Sequence, residues 1–285
     1  MTRMVLAAAL WILPVMAAPP PSLSIARLAT LEARIGGRLG VAALDTGSGR
    51  RLEYRSAERF PLCSTFKVLL AGAVLARVDS GRESLDRRIP YSQTDLLDHS
   101  PVTATHVAEG GLPVETLCAA AVQDSDNAAA NLLLTSLGGP RAVTAFARTL
   151  GDGMTRLDRN EPSLNEATPG DARDTTTPAA MVGALKALLL APTLSTASRG
   201  KLEGWMAACT TGRAKLRAGL PADWIVGDKT GSGAHGTMND IAILRPPHRA
   251  PILVAVYATG SKASWGDREA MVAEAGRIVA GEFRD

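Results

Sequence analysis

The sequence has few residues of the types that cross-link a chain or bind a metal. It contains three cysteines and four histidines among 285 residues. The histidines are dispersed, and none stands with a cysteine at the spacing of a zinc site. We therefore expect neither a metal nor a cofactor. The four histidines are His99, His106, His235 and His248.

The cysteines are too few to supply a disulfide framework, and their number is odd. Cys63, Cys118 and Cys209 cannot all pair within one chain because their number is odd. Cys63 directly precedes Ser64, which raises the question of a second nucleophile. A small buried side chain that packs the start of a helix is the simpler interpretation.

No long run of one charge sign occurs. The 31 Lys and Arg residues are interspersed with 28 Asp and Glu residues, for a formal net charge of +3. A nucleic-acid interface or a membrane-binding patch needs clustered basic residues. We therefore expect no nucleic-acid partner and no membrane attachment of the mature chain, which we take to be a monomer that acts on small molecules.

The N-terminal apolar run is shorter than the roughly 20 residues that span a bilayer. Arg3 precedes an apolar stretch over residues 5–12, and small residues near positions 17 and 18 suit a signal peptidase. We predict a signal peptide over residues 1–18. The mature protein is then exported to the periplasm, or secreted if the host lacks an outer membrane.

Strand patterns lie at both ends of the chain, and helix patterns lie between them. Strands are predicted near residues 40–45, 51–55, 224–229, 237–244 and 251–257, with a final helix over 268–283. The middle predicts helices near residues 114–122, 128–137, 142–150, 178–190 and 198–209, with Asn127, Thr177 and Ser195 as N-caps. These patterns predict a two-lobe α+β fold: an antiparallel sheet with flanking helices, built from residues 24–57 and 209–285, and an inserted all-helical lobe over residues 58–208. That lobe includes a long loop over residues 156–174, and such loops are often functional.

Ser64 and Lys67 can form a nucleophile with a nearby nitrogen base. They stand at i and i+3 at the start of an apolar helical pattern, so they share one helix face. A buried lysine can lose its proton well below its usual pKa, and a serine needs such a base to attack. Alone, the pair also fits a solvated surface helix.

Three further clusters fit the same chemistry, although each alone has an ordinary structural explanation. Ser125 and Asn127 bracket Asp126 before a helix, where they can relay a proton and bind an amide or simply cap the helix. The tripeptide 229–231, Lys-Thr-Gly, ends a predicted strand, where a cation, a hydroxyl and a glycine suit an anionic ligand.

The long loop supplies the third cluster. Glu161 and Asn165 are four residues apart and could hold a water, with Glu161 as general base, or could lie exposed. Arg159 and Asp174 bracket them, and an ion pair between the two would close the loop.

The four motifs, in this order and spacing, resemble the class A serine β-lactamases, and the resemblance covers essentially the whole mature chain. Agreement extends to the segments Asn131-Leu-Leu-Leu and Asp174-Thr-Thr-Thr-Pro. The resemblance implies hydrolysis of penicillins and cephalosporins, and antibiotic resistance, through an acyl-enzyme on Ser64.

The resemblance also implies a role for each motif residue. Ser64, Lys67, Ser125 and Glu161 would be catalytic, with the acylation base left open between Lys67 and Glu161. The backbone N–H groups of Ser64 and Ser232 would form the oxyanion hole. The substrate would be bound by Asn127, Asn165, Lys229, Thr230, Ser232 and His99.

Two features depart from the family pattern. Met238 stands where many members have an arginine that supports the substrate carboxylate, and Lys215 or Arg217 could substitute for it. Neither of the family's disulfides can form, because Gly233 and Ala71 occupy the partner positions. We expect mostly free thiols.

Two other functions remain open at this point. A penicillin-binding D,D-peptidase would share Ser64, Lys67, Ser125, Asn127 and Lys229 but would not need Glu161. A β-lactam-sensing module would acylate without turnover.

Overall fold

The structure is a computed structural model that describes residues 22–284, so the predicted signal peptide lies outside the described residues. None of the helices within that range is long and apolar enough to cross a bilayer. The α-helices of residues 22–284 are α1 (Leu23–Ile35), α2 (Phe66–Asp79), α3 (Val114–Gln123), α4 (Asn127–Leu137), α5 (Pro140–Thr149), α6 (Pro178–Leu189), α7 (Thr196–Ala207), α8 (Leu216–Gly219) and α9 (Trp265–Glu282). The strands of the same range are β1 (Arg38–Asp45), β2 (Arg51–Tyr54), β3 (Phe60–Pro61), β4 (Arg88–Pro90), β5 (Gly111–Pro113), β6 (Thr175–Thr176), β7 (Ile225–Gly233), β8 (Thr237–Arg245) and β9 (Ile252–Thr259).

The main sheet joins the two ends of the chain. Its five antiparallel strands run in the order β2-β1-β9-β8-β7. The contact between the ends is the β1–β9 pair, which is in register from Arg38↔Thr259 to Asp45↔Ile252. The antiparallel sheet predicted from both termini is therefore confirmed.

Each face of the sheet has its own apolar core. Leu28 of α1 and Ile278 of α9 belong to the core on one face, and Leu69 of α2 and Leu185 of α6 belong to the core on the other. Helix α2 is buried over its first ten residues, because both the sheet and the surrounding helices cover it. The residues just before α2 are thereby held between the sheet and the helices.

Three local predictions were wrong or incomplete. Helix α1 was not predicted. Asp126, not Asn127, caps α4: its carboxylate accepts a hydrogen bond from Ala129 N at 2.8 Å, and Asn127 is the first helical residue. Strand β7 continues to Gly233 because its last residues pair with β8 as far as Gly233↔Thr237. The predicted caps Thr177 and Ser195 are confirmed.

Candidate active site

Ser64 lies in a 3-10 turn, Cys63–Thr65, that leads directly into α2. The residue before it, Cys63, has a left-handed φ of 43°. Ser64 is almost buried, and its hydroxyl donates to Glu161 Oε1 at 3.2 Å. Among the described residues its partner is thus Glu161 rather than Lys67.

Lys67 is completely buried and surrounded by oxygen atoms. Its Nζ donates to Ser125 O and to Asn127 Oδ1, each at 2.7 Å, and lies 3.0 Å from Glu161 Oε1. The Ser125 hydroxyl is 3.4 Å away. Burial lowers the pKa of the Lys67 ammonium, while the Glu161 carboxylate opposes that decrease. Glu161 Oε1 is therefore shared by Ser64 and Lys67.

The loop before α4 is held by Asp126. Its buried carboxylate accepts hydrogen bonds from the backbone of Val102 and Thr103, and from the Thr103 hydroxyl, at 2.9–3.0 Å. This arrangement fixes Ser125, whose φ is 60°, at the edge of the cleft beside Lys67. Sequence reasoning did not give Asp126 this role, because its partners lie more than 20 residues away.

Glu161 is fixed at both its backbone and its side chain. Asn131 donates to Glu161 O at 2.9 Å and accepts from Glu161 N at 3.0 Å. Asn165 Nδ2 donates to Glu161 Oε2 at 2.5 Å, while the buried Asn165 Oδ1 has no partner among the described residues. The Glu161 residue is only 4% exposed and its side chain is fully buried, which is incompatible with an exposed acidic loop.

Arg159 and Asp174 contact each other across the base of the loop. Arg159 Nε lies 2.6 Å from Asp174 Oδ2, and the other carboxylate oxygen accepts backbone hydrogen bonds from Asp158 and Arg159 at 2.7 and 3.0 Å. Asp174 is buried. The two ends of the segment that contains Glu161 are thereby joined.

The Lys-Thr-Gly residues lie within β7 rather than at its end. Lys229 is fully buried, and burial together with the nearby Lys67 ammonium lowers the pKa of Lys229 to about 8. Thr230 Oγ1 lies 2.6 Å from Thr211 Oγ1. Gly231 allows the strand to approach the nucleophile, because a Cβ there would lie 3.2 Å from Ser64 N and 2.9 Å from Leu62 O.

These groups face a common cleft of about 390 Å³. His99 lies at its exposed edge, with Nε2 2.9 Å from Asp124 O. Thr211, Trp265 and Glu269 also line the cleft, but no sequence motif had identified them. The cleft brings together the sequence-predicted residues Ser64, His99, Ser125, Asn127, Asn165, Thr230 and Ser232. Lys67, Glu161 and Lys229 are buried behind it.

The structure separates the two cations that could replace the missing arginine. Lys215 lines the cleft, where its Nζ donates to Thr211 O at 2.9 Å and to Glu269 at 3.1 Å. Arg217 is bound to the buried Asp228 and to backbone oxygens outside the cleft. Lys215 is therefore the cation available to a ligand.

The three cysteines are buried and unpaired. Burial raises the pKa of the Cys63 thiol, and nearby carboxylates raise it further. Cys63 Sγ fills the space beside Gly233, where a Cβ would lie 2.7 Å from the sulfur. A protonated, enclosed thiol does not act as a nucleophile.

Comparisons with known proteins agree with this geometry. The model of the β-lactamase enzyme family matches residues 24–283. The chain is 51% identical to β-lactamase AST-1 of Nocardia asteroides and 47% identical to β-lactamase CTX-M-8 of Citrobacter amalonaticus. Each alignment covers 89% of this chain, and they cover 81% and 87% of those proteins respectively. An ancestral class A β-lactamase of known structure superposes with a TM-score of 0.90 at 62% identity, over 91% of this chain and all of that one. The chain therefore belongs to the β-lactamase enzyme family, as a class A member.

Proposed function

We propose that this protein hydrolyses the β-lactam amide of penicillins and cephalosporins through a Ser64 acyl-enzyme, and that it thereby confers antibiotic resistance. The observation that supports this mechanism best is Glu161 Oε1, which contacts both the nucleophile at 3.2 Å and Lys67 at 3.0 Å. A carboxylate in that place can activate a water against the ester as well as accept a proton from the serine.

The cleft offers complementary groups to each end of the substrate. Thr230, Ser232 and Lys215 line the cleft with hydroxyls and a cation for the ring carboxylate, and the Lys229 ammonium, buried behind the cleft, adds a second positive charge. At the other end, Asn127 offers its side-chain amide to the substrate's acylamino group, and His99 covers the cleft edge. The N–H groups of Ser64 and Ser232 stabilise the developing oxyanion.

In acylation the Ser64 oxygen bonds to the lactam carbonyl carbon and its proton leaves. Glu161 Oε1 is the acceptor in hydrogen-bond contact, and Lys67 touches the same oxygen. Collapse of the tetrahedral adduct breaks the C–N bond, and the lactam nitrogen takes a proton from Ser125. Lys67 Nζ, 3.4 Å from that hydroxyl, returns a proton to it, and Glu161 passes the proton taken from Ser64 to Lys67 across their 3.0 Å contact, so Glu161 is a carboxylate again. The ester on Ser64 results.

In deacylation a water beside Glu161 attacks the ester. Glu161 takes one water proton, and the unpartnered Asn165 Oδ1 accepts the hydrogen bond of the other. The hydroxide adds to the carbonyl, the bond between the Ser64 oxygen and the acyl carbon breaks, and Ser64 takes the proton that Glu161 removed from the water. The product is the ring-opened acid.

Intact-mass spectrometry after addition of a penicillin tests this assignment. The unmodified protein should return rapidly to its free mass. Glu161→Ala should accumulate the adduct, because deacylation loses its base, and Ser64→Ala should form none. A stable adduct on the unmodified protein indicates a D,D-peptidase or a sensing module instead, and fast deacylation by Glu161→Ala refutes the role of Glu161.

We also infer that the protein acts as an exported monomer. The apolar run over residues 5–12 supports export. N-terminal sequencing of the protein from the cell envelope should find a start near residue 19, and light scattering should give the mass of one chain. An uncleaved N-terminus or a dimer mass would contradict this inference.

A further inference from the structure

A half-exposed tryptophan lies at the mouth of the cleft. Trp265 opens α9, lines the cleft and is 51% exposed. Large aromatic side chains in such clefts are commonly binding groups. Glu269, one helical turn later, lines the same cleft.

Two cationic side chains lie over the Trp265 ring. Lys215 Nζ lies 5.6 Å from the ring centroid, and the Arg268 guanidinium carbon lies 5.5 Å from it. Both distances fall within the range of cation–π attraction, for which tryptophan is the strongest aromatic partner. The start of α9 itself is fixed, because Ser264 caps it by accepting a bond from Asp267 N at 3.1 Å.

Lys215 is held from several sides at once. Its side chain is 5% exposed, and its ammonium donates to Thr211 O at 2.9 Å and to Glu269 Oε1 at 3.1 Å. An ammonium has three donors. Two are used, so one N–H remains for a ligand in the cleft. A free lysine would lose rotamer entropy on binding, and holding it in advance removes that cost.

We propose that Trp265 is a positioning residue for the substrate carboxylate, since its ring and Glu269 hold the Lys215 ammonium at the mouth of the cleft. This inference rests on the proposed β-lactam hydrolysis. The ring carboxylate of a penicillin or cephalosporin accepts the third N–H of Lys215 while Lys229 and Thr230 bind it from the strand. Glu269 also weakens binding of the substrate carboxylate, because its negative charge partly cancels the positive charge of Lys215 near an anionic ligand.

Kinetics on a penicillin with its free carboxylate separate this role from simple packing. Trp265→Leu keeps an apolar side chain but removes the π face, and should raise KM about fivefold with kcat within twofold. Trp265→Phe should recover most of the loss. Glu269→Gln keeps an acceptor for Lys215 but removes the charge, and should lower KM a few-fold. Trp224→Phe, a partly buried tryptophan outside the cleft, is the matched control.

Two further measurements assign the effect to Lys215 and to the carboxylate. In a Lys215→Met background Trp265→Leu should have no further effect on KM. With the methyl ester of the same penicillin, Trp265→Leu and the wild-type protein should give equal KM values. An unchanged KM in Trp265→Leu, an equal loss with the ester, or additivity with Lys215→Met overturns the inference. Absence of penicillin turnover by the wild-type protein overturns the proposed function instead.

Discussion

Raising the pH should remove the charge of Lys229 before it removes that of ordinary lysines. Lys229 is fully buried, and burial and the Lys67 ammonium lower its pKa to about 8 from an ordinary value of 10.5. Buried Asp228 and Asp240 oppose this decrease without cancelling it. The ammonium is the strand's only cation toward the substrate carboxylate among the described residues of β7.

The magnitude follows from the protonated fraction. With a pKa of about 8, Lys229 is roughly nine-tenths protonated at pH 7, half at pH 8 and one-tenth at pH 9. Because kcat/KM reports the free enzyme, it should follow that fraction and fall about tenfold per pH unit above pH 8. Loss of a positive charge that binds the carboxylate should appear mainly in KM.

Stability should change in the opposite direction. Between pH 8 and 10.5 the unfolded chain keeps the Lys229 proton while the folded chain has released it, so the unfolded state binds more protons. The contribution of Lys229 to the free energy of unfolding therefore rises with pH over that window. A fall in activity over that pH range is therefore not explained by unfolding caused by the deprotonation of Lys229.

The assay is the initial rate on a penicillin from pH 6 to 10, with circular dichroism at each pH as a check on folding. Lys229→Arg is the matched variant, because a guanidinium stays charged throughout. In Lys229→Arg the decrease of kcat/KM should move to higher pH, whatever the absolute rate of the variant. A wild-type kcat/KM that stays constant up to pH 9.5 would refute the reasoning. A decrease of kcat/KM at the same pH in Lys229→Arg would also refute it, and would indicate that Lys67 is the group that loses its proton.

Two further changes test how the site is held. Asp174→Ala removes the partner of Arg159 Nε and of two backbone N–H groups, and leaves Arg159 only its ion pair with Glu166, so unfolding should cost about 3 kcal/mol less. The melting temperature should fall by roughly 6–12 °C, with deacylation slowed more than acylation in stopped-flow traces; an unchanged melting temperature contradicts this. Gly231→Ala puts a Cβ 2.9 Å from Leu62 O, so kcat/KM should fall about 100-fold. Gly266→Ala is the control: a Cβ at Gly266 would have open space around it, so this variant should keep the wild-type kcat/KM. Equal kcat/KM values in the two variants would show that the close approach of β7 to Ser64 does not matter for the rate.

The sequence was sufficient for the chemistry because that chemistry needs specific residue types at short spacings. Ser64 and Lys67 share one turn, and the Lys-Thr-Gly tripeptide lies on one strand. The antiparallel sheet was equally predictable, since alternating segments stood at both ends of the chain. Helix α1 was missed, although Ser22 caps it and Leu28 and Leu31 are buried on one face.

Contacts between distant segments could not be predicted from the sequence. Asn131 fixes the Glu161 backbone across 30 residues, and Trp265 reaches Lys215 across 50. Neither pair has a spacing that a local pattern could reveal, because each depends on how α4 packs against the loop and where α9 begins. These contacts orient groups whose chemistry was already evident.

The choice between Lys215 and Arg217 shows why charge alone does not define a site. Both cations stand two residues apart in one short segment, and the sequence offers no reason to prefer either. The register of β7 decides, because it places the buried Asp228 where it binds Arg217. A buried carboxylate without its cation would cost several kcal/mol, so Arg217 is committed to the fold. Lys215 is left facing the cleft, and its partner Glu269 is 21% exposed there. Of these two cations, the one that the interior does not need is available to substrate, and that is a property of the packed chain rather than of any motif.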